Sequence, residues 1–93
     1  MREREIEAAL FKAVKKRHGL PFKFISPGMS GVPDRLILLP GGKIGFIELK
    51  APGKKMRPLQ EKRKRQLESL GFLVFCLDSK EEVEVILDAI QAT

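Results

Sequence analysis

The alternation of apolar and polar residues divides the 93-residue chain into seven segments. From about Glu3 to His18, Ile6, Ala9, Leu10, Ala13 and Val14 recur at helical spacing, with Gly19 placed to end the helix. Pro21 breaks that pattern, and Phe22 to Ser26 reads as a short strand. Pro27 to Pro33 is loop. Asp34–Leu39 and Lys43–Lys50 are rich in Ile, Leu and Phe, and the Pro40-Gly41-Gly42 junction supplies the positive φ of a tight reversal, so they predict a hairpin. A basic loop, residues 51–57, leads to Pro58, whose fixed φ suits the first turn of a helix reaching about Leu70, closed by Gly71. The apolar run Phe72–Leu77 is too short for a typical helix and predicts a buried strand. Ser79 and Glu82 have capping-box spacing ahead of a last helix with Val83, Ile86, Leu87 and Ile90 on its apolar stripe. The expected order is αβββαβα, a single α/β domain over residues 1–93 with no repeat and no linker.

Placing the charged residues on these elements singles out three of them. Asp34 begins the second strand, and Glu48 and Lys50 stand two apart on the third, so those two project from the same face of the sheet. Two carboxylates and an ammonium that converge there could hold a divalent cation and a water against a phosphodiester. The bland reading of Glu-x-Lys is an exposed ion pair. Against it stand the apolar strands that surround these charges, where an unpartnered charge is costly, and the basic segment that follows. Convergence sets a condition on the hairpin. A two-residue turn at Gly41-Gly42 would pair Asp34 with Leu49 and put Asp34 and Glu48 on opposite faces. A three-residue loop, a bulge, or a departure from regular pairing at Pro33-Asp34 is therefore expected.

Charge adds a partner. Eighteen Lys and Arg against twelve Asp and Glu give a formal net charge of +6, which favours an anion, nucleic acid foremost. The charge is unevenly placed: residues 50–68 hold eight basic and two acidic side chains, residues 80–93 one basic and four acidic. Lys54, Lys55 and Arg57 in the loop, with Lys62, Arg63, Lys64 and Arg65 on the helix, are candidate phosphate contacts, the alternative for the helix being a solvated face. The one cysteine, Cys76, excludes an internal disulfide and a Cys-based zinc site and fits a reducing compartment. No signal-peptide core and no membrane-length apolar run is present, so a cytoplasmic location without membrane association is expected. With neither Trp nor Tyr, the phenylalanines Phe22, Phe24, Phe46, Phe72 and Phe75 read as core rather than as a base-stacking platform. His18, at a helix end, reads as structural. Gly28, Ser30 and Gly31 lack the Gly-Lys-Ser/Thr of a nucleotide loop; they suit a flexible approach to the site, with Ser30 near substrate.

The motifs Ser30-Gly31-Val32-Pro33-Asp34-Arg35-Leu36 and Phe46-Ile47-Glu48-Leu49-Lys50-Ala51-Pro52-Gly53, with Gln60 in the next helix and Gly71 after it, resemble the VRR-NUC domains of the PD-(D/E)XK nuclease superfamily over nearly the whole chain. The resemblance implies a restriction-endonuclease-like core, a mixed central sheet flanked by helices. It implies Mg²⁺ or Mn²⁺ bound by Asp34, Glu48 and the backbone carbonyl of Leu49, catalysis by Lys50, and support from Gln60. Arg35, within the first motif, is taken with Ser30 as a DNA contact. Members of the family usually add a glutamate from the first helix, for which Glu3, Glu5 and Glu7 are candidates. At 100° per residue Glu7 falls beside the inward stripe, Glu5 points away, and Glu3 shares the inward side but sits at a terminus prone to fraying, so Glu7 is preferred as a fourth metal ligand and Glu3 is second. Similarity to stand-alone members of bacteria and phages implies branched DNA as substrate, and a Holliday junction would suit a homodimer making paired cuts. The alternatives are a flap or other structure-selective nuclease and, from another class, a catalytically silent DNA-binding module.

Overall fold

The structure is a computed structural model that describes residues 1–93. Helix α1, Glu3–Lys16, buries Ile6, Leu10 and Val14, one residue per turn. It ends in a Schellman-type turn in which the amide of His18 donates to the Lys15 carbonyl at 2.9 Å and that of Gly19 to the Val14 carbonyl at 3.0 Å. The left-handed residue is His18, at φ 65°, and not the expected Gly19. Glycine is needed at 19 for another reason: a Cβ there would sit 2.5 Å from the Leu38 carbonyl oxygen. Strand β1, Leu20–Lys23, follows at once, two residues earlier than the sequence pattern suggests, because the chain is already against its neighbour at Gly19.

Strands β2, Arg35–Leu39, and β3, Lys43–Leu49, form the predicted hairpin. Leu39 pairs with Lys43 and Arg35 with Ile47, so the loop has three residues, with Gly41 and Gly42 both at positive φ (86° and 74°). Helix α2, Pro58–Ser69, starts on its proline and closes on Gly71 at φ 97°. Strand β4, Leu73–Leu77, then runs parallel to β3. A 3₁₀ turn, Lys80–Glu82, leads into helix α3, Val83–Gln91. The Ser79 side chain makes no capping bond, so the capping-box expectation is replaced by this tighter turn. The element order is the one predicted, and the sheet order is β1-β2-β3-β4, antiparallel except for the last pair. As an edge strand, β4 buries Val74 and Leu77 and leaves its other residues half-buried, less than its apolar run suggests.

Alternation along β3 divides the molecule. Gly45, Ile47 and Leu49 face one side, where a Cβ on Gly45 would meet Ile90 Cδ1 of α3 at 2.3 Å. That side holds the core of Ile6, Leu10 and Val14 from α1, Ile37 and Leu39, Ile47 and Leu49, Leu77, and Val83, Ile86, Leu87 and Ile90. Phe46 and Glu48 face the other side, which α2 covers in part. There Phe46 meets Phe24 and Phe72 edge to face, with centroids 5.6 and 5.9 Å away. Phe22 and Phe72, expected in the core, are 42% and 38% exposed, at opposite edges of a face that α2 covers only in part. No helix is long and apolar enough to cross a membrane.

Candidate functional site

The three-residue loop sets the alignment the chemistry requires. Continuing the register one step beyond Arg35–Ile47 places Asp34 opposite Glu48, with Cβ atoms about 5 Å apart for such a pair. Asp34 is held firmly. Its Oδ1 accepts the amide of Leu49 at 3.0 Å, and its own carbonyl accepts the amide of Phe24 at 2.9 Å and Arg35 Nη1 at 2.8 Å. Glu48 is 5% exposed. Its Oε2 accepts Gln60 Nε2 at 3.1 Å and lies 3.3 Å from Lys50 Nζ. Burial pushes the Glu48 carboxyl above its ordinary value; the charge of Asp34 adds to this and Lys50 opposes it.

Gln60 makes two bonds from the first turn of α2. Its Oε1 accepts the amide of Arg57 at 2.9 Å while its Nε2 donates to Glu48. Both ends of the amide are thus assigned, and the start of the helix is tied to the carboxylate. Cys76 neighbours Glu48 across the β3–β4 pairing, and burial, with Asp78 and Glu48 nearby, pushes its thiol up. A thiol so placed stays protonated and unreactive at neutral pH.

Glu7 behaves differently from expectation. Of the three acids at the start of α1 it is the one that reaches the sheet, Glu3 and Glu5 being exposed, but its carboxylate is bound by Arg35 Nη2. No group of three or more His, Cys, Asp or Glu side chains is gathered as a metal site; the structure brings Asp34 and Glu48 together and pairs Glu7 with Arg35. Arg35 departs as well. Expected to face DNA, it is only 11% exposed and lies between Glu7 and Asp34. Strand alternation carries the missed signal, since a residue next to Asp34 must point to the α1 side of the sheet.

The basic residues separate into two groups. Lys54, Lys55, Arg57, Lys62 and Arg65 are exposed. Lys54 and Lys55, with Met56, Glu61, Cys76 and Asp78, line a shallow depression of about 290 Å³ beside the strand that carries Cys76. Arg63, expected to meet phosphate, instead donates through Nε to the Ser30 carbonyl at 2.8 Å and through Nη1 to Gln66 at 2.9 Å. Lys64 pairs with Glu68 along the helix. Ser30 itself is exposed on the loop before Asp34, and that loop is pinned to α2 through Arg63.

Two carboxylate oxygen donors on one face of the sheet, one of them pushed toward its neutral form by burial and further by the charge of the other, fit a hard divalent cation, which would offset both effects. No protein-family model matches the chain. A protein of Acyrthosiphon pisum secondary endosymbiont phage 1, named "Putative nuclease p44", is 48% identical over 90 residues, which span 97% of this chain and 96% of that one. A solved structure described as a VRR_NUC domain has the same fold, with a TM-score of 0.85 and 29% identity over 92% of this chain and 94% of that one. From these similarities and the mixed sheet carrying Asp34, Glu48 and Lys50, the chain belongs to the VRR-NUC domain family, within the PD-(D/E)XK nuclease superfamily.

Proposed function

We infer that this VRR-NUC domain is a metal-dependent endonuclease that hydrolyses phosphodiester bonds in branched DNA, with a Holliday junction as substrate and a homodimer as the working form. The observation that carries the hydrolytic reading is the placement of Asp34 opposite Glu48 with Lys50 against the Glu48 carboxylate. Asp34, Glu48 and the Leu49 carbonyl would hold Mg²⁺ or Mn²⁺. A cation bound there supplies neutralisation of the phosphate and a more acidic water. Lys50 orients the attacking water and offsets charge on the phosphate. Gln60 fixes which Glu48 oxygen faces the site, and the exposed Lys54, Lys55, Arg57 and Lys62 grip the DNA backbone. The junction and the dimer are supported by substrate symmetry, since paired incisions call for a two-fold enzyme. A cytoplasmic setting in bacteria or phage-infected cells is supported by the phage origin of the relative.

The test is cleavage of a four-way junction, a flap and a plain duplex, with and without Mg²⁺. Cleavage is expected only with the cation, with symmetric incisions on the junction and a dimer in solution. Asp34→Asn and Lys50→Ala should each lower the rate by about 10²- to 10⁴-fold. A strong preference for a free 5′ end would replace the junction with a flap. DNA binding without cleavage, indifferent to cation and to both substitutions, would reduce the chain to a silent binding module.

A further inference from the structure

Arg35 is a charged residue whose surroundings the hydrolytic scheme leaves unexplained. It opens β2 directly after Asp34 and turns to the opposite face. Its Nη2 binds the Glu7 carboxylate, its Nη1 donates to the Asp34 carbonyl at 2.8 Å, and the same nitrogen lies 3.7 Å from Asp34 Oδ2. The guanidinium carbon stands 6.0 Å from the Phe11 ring centroid on α1, and the buried Nε has no partner. A side chain 11% exposed and engaged on two sides has no free edge for a phosphate. Its planar fork suits another task, since a guanidinium can bind two groups at fixed relative orientation where an ammonium offers a point charge.

We propose that Arg35 is a positioning residue: it clamps Glu7 of α1 to the Asp34 end of β2 and thereby holds the Asp34 carboxylate opposite Glu48. The proposal rests on the nuclease reading of the same site. Two groups secure the Asp34 carbonyl, Phe24 from β1 and Arg35 from its own strand, and Arg35 alone of these carries the restraint across to α1. Glu7 then acts on the site through Arg35.

The experiment compares the full-length chain with Arg35→Met, Arg35→Lys, Glu7→Gln and the double variant Glu7→Gln/Arg35→Met. Three quantities are read: junction affinity in EDTA, the single-turnover cleavage rate with Mg²⁺ at saturating junction, and amide hydrogen exchange over residues 5–11 of the metal-free protein. Arg35→Met should slow cleavage by about tenfold or more while affinity changes by less than about twofold, and should speed exchange in the first turns of α1. Arg35→Lys keeps the charge and should recover only a minor part of the rate, because one ammonium cannot span both partners. The double variant should be no slower than Arg35→Met, since the two residues work as a unit.

Weakened junction affinity with an unchanged saturated rate would make Arg35 a DNA contact and overturn the proposal, as would full activity of Arg35→Lys. If Arg35→Met does not fold, Arg35→Lys is judged by the same split between rate and affinity. If the wild-type chain cuts none of the junction, flap and duplex substrates, the nuclease reading fails separately. The exchange measurement then still decides the clamp: unchanged protection of residues 5–11 in the Arg35 variants overturns it.

Discussion

Glu48 is the residue at which function and stability conflict most directly. It is buried, held by Gln60 and Lys50, and its carboxyl is pushed above its ordinary value by burial and by Asp34. A carboxyl raised on folding binds protons more tightly in the native than in the unfolded chain, so its contribution to stability is greatest below the unfolded value. That contribution is lost as pH rises from the ordinary glutamate value through the folded one. The metal-free protein should therefore lose stability from this group over that window. Glu48→Gln should flatten this part of the profile and raise stability at neutral pH, and Mg²⁺ should stabilise the wild type more than the variant. Urea unfolding across pH, with and without Mg²⁺, checks this; a Glu48→Gln protein less stable at neutral pH without metal would contradict it. At the same scale, Asp34, Glu48 and Lys50 could be singled out in the sequence because charges among apolar strand residues need a reason. Arg35 could not be separated from a DNA contact by charge, since the chain is rich in arginine. Only its side of β2 and its partner on α1 assign it.

Among the elements, the β2–β3 hairpin decides whether there is a site. Its glycine pair marked the reversal in the sequence, but Gly-Gly permits two- and three-residue loops alike, and the choice comes from packing. Ile37 and Leu39 of β2 must share a face with Ile47 and Leu49 of β3 to join one core, and this register in turn brings Asp34 opposite Glu48. Gly45 is part of the same constraint, lying beneath Ile90 with no room for a methyl group. Gly45→Ala should cost about 1–3 kcal/mol by overpacking. Ile90→Val, which removes Cδ1, should cost about 0.5–1.5 kcal/mol alone. In a double-mutant cycle the pair should be less destabilised than the sum. Additive effects in denaturant unfolding would mean that α3 shifts freely over β3. Helix ends show a similar division between sequence and fold. Gly71 takes the left-handed cap that the sequence suggests, whereas at the end of α1 that role moves to His18, because Gly19 must pass against Leu38.

For the whole molecule, net charge and its placement give the clearest expectation, a basic face formed by the residue 54–57 loop and the outer side of α2. Log affinity for junction DNA should fall linearly with log salt. Replacing Lys54, Lys55 and Arg57 together by alanine should reduce the slope by about 0.9 for each phosphate no longer neutralised. Arg63→Ala, whose guanidinium is bound to Ser30 and Gln66, should leave the slope nearly unchanged. Salt titrations of binding in EDTA check both; an unchanged slope in the triple variant would place the DNA elsewhere. The order of elements, the core stripes of α1 and α3, and the two motifs carrying Asp34, Glu48 and Lys50 were legible in the amino acids alone, because these follow from local periodicity and from residue types that apolar strands seldom carry. It took the folded chain to show which residues of α1 and β2 meet, that Glu7 is bound to Arg35, that Arg63 braces a loop, and that the second sheet face is only partly covered. Those outcomes depend on contacts between residues far apart in the chain, whose geometry no local pattern encodes.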